Sequence, residues 1–459
     1  MAPSRPHWVV VGSGISGLSA AWHLQGQGQV TILEAEHRLG GHTHTRHVTL
    51  EGIRAPVDTG FIVFNHRTYP ELLAWFEALS VETHPADMSF SVSARGGRFE
   101  WAGHSIRGLF AQPANLLKPS FWRMLADILR FNRQAPKDLL AMESGAKPAC
   151  SLGAYLKAGH YSQSFEDGYL LPMAGAIWSC PAAQMRAFPF QSFTRFCVNH
   201  GLLQIANRPQ WYSLLGGSHQ YIDALKAHCA QQGEPLDCRT SHAVEAVSSL
   251  PNGRKRIVGT NRQTGERFEI LADGVILASH TNQSAAMLEA AQHPAAEPLA
   301  AFRYEDNTAY LHTDTRLMPR RRAAWAAWNY FADGVPIDPH SPAQPGTSPR
   351  VSVTYWMNVL QSLPFSQPIL VSLNPERPPA IEHQIETIRY AHPVFDQAAM
   401  AARETIRSLQ GHEQVWFAGA WMGYGFHEDG FRSGREAAQA LLAWHAQDQA
   451  PTEGTRLAA

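Results

Sequence analysis

The sequence predicts an α/β protein, in which a parallel sheet built on βαβ units is interleaved with a mixed α+β domain. Three observations carry that prediction. Residues 7–34 run strand, Gly-rich turn, helix, strand, acid. Residues 415–438 run strand, Gly-rich loop, helix. The stretches between them switch repeatedly between strand-like and helix-like patterning. With 459 residues the chain is too long for one simple core, so two or more domains are expected.

The first unit is the most specific. Trp8-Val9-Val10-Val11 is a short apolar, β-branched run, the signature of a buried strand. Gly12-Ser13-Gly14-Ile15-Ser16-Gly17 follows as G-x-G-x-x-G, then helix-forming Leu18 to Leu24, then a second strand, Val30 to Leu33, ended by Glu34. In this Rossmann-like arrangement Gly12 permits the tight turn and Gly14 lets the backbone approach a pyrophosphate. Gly17 lets helix and strand pack closely. The helix start attracts phosphate, and Glu34 can accept hydrogen bonds from ribose hydroxyls. Taken alone, the unit is compatible with NAD, NADP or FAD.

Composition narrows the class. Hydrophobic residues make up 44% and aromatics 10%, which fits a globular protein with a large interior. A net charge of −1 gives no support for nucleic-acid binding. The five cysteines are scattered without metal spacing, which fits a reducing cytosol. Histidine is frequent, at 23, but no ligand-type spacing such as H-E-x-x-H occurs, so no metal is expected. The nucleotide motif begins almost at Met1, so no signal peptide is expected, and no run of eighteen apolar residues could span a bilayer. A cytoplasmic protein is expected.

Beyond Glu34 come Ala35, Arg38, the pair Gly40-Gly41, His42 and Thr43. Val57-Asp58-Thr59-Gly60-Phe61 follows, and Gly60 would permit close backbone approach. Tyr69 to Leu79 is an amphipathic helix. Phe90–Ser93 and Arg98–Trp101 are strand-like. Ile106–Phe110 and Pro119–Arg133 are helical and mix large apolar residues with Arg and Lys. Such basic amphipathic helices either cover a core or lie on a membrane surface, with Arg107, Lys118, Arg123, Arg130 and Arg133 as candidate headgroup contacts. Tyr169 to Ser179, which includes Ile177 and Trp178, is apolar and could pack a core or line a substrate channel. Leu214–Ile222 contains a second Gly-Gly, and Ala243–Val247 alternates like a strand. Arg256–Gly259 and Arg267–Ile270 suggest a hairpin, and Ala272–Ala278 a buried strand. Tyr304–His312 and Val351–Asn358 are strand-like, with a Pro-rich loop, Pro336–Pro349, between them. Trp325, Trp328, Tyr355 and Trp356 are candidate cavity walls. The last unit runs from Val415 through Gly419-Ala420 and Phe426-His427-Glu428-Asp429-Gly430 into a helix. A helix start there suits negative charge.

Gly40-Gly41, Asp58–Phe61 and Gly419–Gly434 together resemble the flavin amine oxidase, protoporphyrinogen oxidase and phytoene desaturase superfamily. That resemblance implies FAD, with Gly12, Gly14, Ile15, Ser16, Gly17, Glu34, Ala35, Arg38, Gly40, Gly41, His42, Thr43, Gly60, Phe61, Val244, Ala278, Gly419, Ala420, Asp429 and Gly430 around it. Many members carry Arg after Gly-Gly, where this chain has His42. No Cys follows Cys238, so the flavin is expected to be non-covalent. The implied division is an FAD domain of 1–87, 209–285 and 412–447, and a substrate domain of 88–208 and 286–411. Phe426, Tyr355, Trp356, Ile177 and Trp178 are expected at the substrate, and His427 and Glu428 as polar groups near the flavin.

Within the superfamily, the phrases Val57–Asn65, Asp87–Val92, Thr354–Asn358 and Gly423–Gly430 resemble a bacterial subgroup associated with cyclopropane fatty acid synthases. That resemblance implies desaturation of a methyl-branched or unsaturated, phospholipid-bound acyl chain. It also implies a functional partnership with a cyclopropane-synthase-like methyltransferase and peripheral contact with the inner membrane face. An amine or amino-acid oxidase, an acyl double-bond isomerase, and a non-catalytic flavin-bearing lipid carrier are the alternatives.

Overall fold

A computed structural model describes residues 5–178, 182–204, 208–331 and 352–448. Ser179, Cys180 and the Pro336–Pro349 loop lie outside the described residues.

The first unit forms β1 (His7–Val11), α1 (Ile15–Leu24) and β2 (Gln29–Leu33). These strands are the middle of a parallel five-stranded sheet in the order Asp237–Arg239, β2, β1, Gly274–Leu277, Val415–Phe417. The strands are apolar on both faces because both faces are covered. Trp8, Val10, Ile32, Ile276 and Trp416 pack with α1 and the C-terminal helix, His427–Asp448. Val9, Val11, Leu33, Val275, Leu277 and Phe417 pack on the other side. There they meet an antiparallel sheet of His242–Ser249, Lys255–Asn261 and Arg267–Ala272, which contains the expected hairpin.

A second, mixed sheet has seven strands. Its order is Gln384–Pro393, Tyr304–His312, Leu370–Leu373, Ser352–Trp356, Trp328–Phe331, Phe90–Ala94, Phe99–Ala102. Its one parallel pairing joins Phe90–Ala94 to Trp328–Phe331, two segments distant in sequence. Helices between Ile106 and Asn199 pack on it through Phe121, Phe131, Phe165, Phe190 and Phe193.

The helix expected at Pro119–Arg133 continues to Glu143, through Pro136. Ala135 and Leu139 extend the buried face begun by Phe131, and that packing outweighs a helix-interior proline penalty of about 3 kcal/mol. The apolar stretch from Tyr169 begins in a π-helical turn, Glu166–Leu170, and continues as the helix Leu171–Trp178.

Candidate active site

The turn after β1 explains each glycine by what surrounds it. Gly12 has φ +102°, and a Cβ there would lie 2.7 Å from the Ala278 carbonyl oxygen. A Cβ at Gly17 would lie 1.9 Å from the Gly12 carbonyl oxygen. Both glycines are demanded by the fold itself. A Cβ at Gly14 would meet nothing within 4 Å, so the turn is open to whatever lies above it. Glu34 fixes the turn, because its Oε2 accepts from the Ser13 N–H at 2.9 Å and from the Ser13 hydroxyl at 2.6 Å. Gly40 donates to the Ser13 carbonyl at 3.1 Å, which lays the Gly40-Gly41 loop over the turn.

Above the turn lies a cavity of about 860 Å³. Of the residues expected at a cofactor, its walls contain Gly12, Gly14, Ile15, Ser16, Glu34, Ala35, Gly40, Gly41, His42, Gly60, Phe61, Val244, Ala278, Gly419 and Ala420. Of those expected at substrate, the walls contain Ile177, Trp178, Tyr355 and Phe426. His427 lines the cavity too.

The remaining expected cofactor residues sit behind the lining. Gly17, Arg38, Thr43, Asp429 and Gly430 do not line the cavity and brace its walls from behind. Arg38 donates to the carbonyls of Gly41 at 2.8 Å and Thr43 at 3.1 Å, holding the Gly-Gly loop in shape. The Thr43 hydroxyl bonds Tyr221 and lies 3.0 Å from His427 Nε2. The Asp429 carboxylate accepts from the N–H groups of Tyr424 and Phe426, closing the loop before the helix. A Cβ at Gly430 would lie 2.6 Å from Ile15, so this glycine lets the C-terminal helix press on the start of α1.

Glu428 does not line the cavity. Its carboxylate accepts from the N–H groups of Glu71 and Leu72, at the start of the helix Pro70–Ala78. Successive residues on a helix point about 100° apart, so His427 faces the cavity and Glu428 faces away. Trp356 is likewise displaced from the walls, because adjacent strand residues point to opposite faces and Tyr355 takes the cavity side. Trp356 meets Trp325 edge-on at 5.4 Å, under the Arg322 guanidinium, and neither indole lines the cavity.

Several wall residues were not anticipated. Tyr390 and His392 come from the strand Gln384–Pro393, and His280 from the loop after Gly274–Leu277. His42 packs 5.1 Å from Tyr390 and 5.2 Å from His392, and its Nε2 is buried without a partner. The alternation Tyr390, His392 was a usable signal, as was the position of His280 beyond the carboxyl end of a parallel strand. Phe196, His200, Trp211 and Tyr424 also reach the walls, with Phe426 stacked on Phe196 at 4.7 Å.

Electrostatically the cavity has two ends. Among the described residues, its charged lining consists of Glu34, Glu36, Glu245 and Arg262, all around the end of β2. The other end holds aromatic and aliphatic side chains and uncharged histidines. Desolvation in the wall lowers His200 and His392 to about 4, His427 to about 3, and His42 well below its ordinary value. Among the described residues no His/Cys/Asp/Glu group could hold a metal ion.

The family model for flavin containing amine oxidoreductases matches residues 15–322. The chain belongs to this family. It is an FAD-dependent oxidoreductase, with the amine oxidase-like α/β fold. Cyclohexylamine oxidase from Brevibacterium oxydans IH-35A superposes with a TM-score of 0.63 at 14% identity, over 96% of this chain and 100% of that one. The CLA-producing fatty acid isomerase from P. acnes gives 0.61 at 13% identity, over 95% and 98%. At such identities the likeness is one of fold. A 77-residue stretch is 44% identical to L-amino acid oxidase Bs29 of Bothriechis schlegelii, spanning 16% of each chain.

The residues present fit FAD. Open space above Gly14, the start of α1, Glu34 at the end of β2 and the unpartnered Nε2 of His42 together suit a dinucleotide with a pyrophosphate.

Proposed function

We propose that this oxidoreductase desaturates an apolar fatty acyl chain, methyl-branched or unsaturated and carried on a phospholipid. One observation carries the reading: beyond the Glu34 end, the described cavity wall offers no ionised side chain. An amino acid would need a cation for its carboxylate, and a protonated amine would need a carboxylate or ring faces closed about it. Desolvating either charge without a partner is costly. An acyl chain needs only apolar surface, and Ile177, Trp178, Phe196, Trp328, Tyr355 and Phe426 supply it. The cavity of about 860 Å³ takes in the cofactor residues and this apolar end together, so the acyl chain would lie directly beyond the cofactor.

On this reading the parallel-sheet segments 1–87, 209–285 and 412–447 hold the cofactor, and 88–208 and 286–411 hold the substrate. FAD, bound non-covalently, supplies the hydride acceptor. The walls orient the acyl C–H bonds and exclude water. His427 stays uncharged and fixes the start of the C-terminal helix, where partial positive charge favours electron-rich groups. The subgroup resemblance adds a methyltransferase of the cyclopropane-synthase type as the source of substrate.

The test is anaerobic mixing with methylated phospholipid. Bleaching of the flavin absorbance, with a product two hydrogens lighter, supports desaturation. Bleaching by amines or L-amino acids alone contradicts it. A shifted double bond at unchanged mass marks isomerisation instead.

A further inference from the structure

Exposed apolar side chains are concentrated in one place. Of the ten large hydrophobic residues exposed among the described residues, six fall between Ile106 and Leu140. They are Ile106 (80% exposed), Leu116, Leu117 (87%), Trp122, Leu129 and Leu140. Phe110 links the first four in a chain of contacts. Ile106 and Phe110 lie one turn apart on a short helix, and Phe110 packs on Trp122 at 5.9 Å. Trp122 Nε1 donates to the Leu116 carbonyl at 2.9 Å, which places Leu116 and Leu117 alongside.

The charge around this patch has one sign. Arg107, Arg123, Arg130, Arg133 and Lys137 are exposed, and Lys118 is partly so. The only acids between residues 103 and 140 are Asp127 and Asp138, and both are buried. Asp127 accepts from the Ser162 N–H and pairs with Arg123 and Arg130. Asp138 accepts from Tyr155 and pairs with Lys147. Glu100, on the adjoining strand, is buried too and is held by Arg321. Between residues 103 and 140 the carboxylates therefore face inward and the cations face water, and Glu143, exposed at the far end of the long helix, is paired with Arg195. Arg95, Arg98, Arg320 and Arg322, on loops flanking that strand, are exposed as well.

From this geometry we propose that the face formed by Ile106–Phe110, Leu116–Leu117 and Trp122 seats the enzyme on an anionic lipid bilayer. The apolar tips enter the headgroup boundary, and the surrounding arginines and lysines meet lipid phosphates. Among the described residues no helix is long and apolar enough to cross a membrane, and the proposed seating needs none. The inference is independent of the acyl substrate, because it rests on a surface outside the cavity.

The experiment is sedimentation of the full-length holoenzyme with phosphatidylcholine vesicles, with and without phosphatidylglycerol. Binding to the anionic vesicles is expected to be at least about tenfold tighter, and to weaken as salt screens the cations. Two double variants, Leu117→Asp with Trp122→Asp and Arg107→Glu with Arg133→Glu, are each expected to weaken it about tenfold. Ile381→Asp, equally exposed but elsewhere, is expected to leave binding unchanged. The flavin spectrum and melting curve confirm that each variant is folded. Equal binding to both vesicle types, no binding, or unaffected variants would overturn the proposal. So would variants that convert a dimer to a monomer without changing sedimentation, since the patch would then be covered by a second copy.

Discussion

His427 lies flat against Phe61, with ring centroids 3.6 Å apart and planes 13° from parallel. The contact ties the first turn of the C-terminal helix to the segment after Gly60. His427 Nε2 completes the tie at Thr43, on the Gly-Gly loop. Three segments distant in sequence therefore meet at one imidazole, which carries no charge near neutrality.

This contact predicts an order of stabilities. His427→Phe keeps the stacking and loses the Thr43 bond, a loss of about 1 kcal/mol. His427→Ala loses both and leaves a hole, a loss of about 3 kcal/mol. Urea unfolding checks the order. Equal losses would show that the stacking contributes nothing.

Glu428 should behave as a structural residue. Glu428→Ala removes the acceptor for the Glu71 and Leu72 N–H groups and is expected to destabilise by about 1 kcal/mol, as helix N-cap losses do. Flavin content and turnover per flavin should stay within about twofold of wild type. A collapse of turnover at full flavin occupancy would return Glu428 to the chemistry.

Gly14 and Gly17 should separate folding from cofactor binding. Gly17→Ala forces a Cβ against the Gly12 carbonyl and is expected to destabilise by about 1–3 kcal/mol, with or without FAD. Gly14→Ala meets no protein atom, so the apoprotein should melt unchanged while FAD affinity falls at least about tenfold. Melting curves of apo and holo forms, with an FAD titration, read both effects.

The wall histidines should make the protein acid-labile. In the unfolded chain they titrate near 6.5, whereas in the fold His200 and His392 sit at about 4 and His427 at about 3. Between those values the unfolded chain binds more protons, so stability is lost as pH falls below 6.5. Asp58, pushed up to about 6 by burial from 3.8, acts in the opposite sense and offsets part of the loss. The melting temperature should drop on the order of 5 °C between pH 6.5 and 5. His200→Gln with His392→Gln should flatten that limb.

The parts legible in sequence were those whose logic is local. The β1–α1–β2 unit, the hairpin at 255–272 and the strand Tyr304–His312 each carry their pattern within a few tens of residues. The seven-stranded sheet was not legible as one sheet, because nothing local announces that Ser91 will bond Asn329, 238 positions away. His427 and Glu428 show the same limit at the site. Neighbours in sequence, they are separated by helix geometry that fixes one on the cavity and the other on Glu71 and Leu72. His42 was legible as a residue after Gly-Gly, but its partners Tyr390 and His392 arrive from the far end of the chain.

The central claim is that the uncharged end of the cavity takes an acyl chain, and anaerobic stopped-flow reduction tests it most directly. Methylated phospholipid should bleach the flavin in a single turnover and yield the dehydrogenated chain. Bleaching by primary amines or L-amino acids, with none by the lipid, would contradict the account.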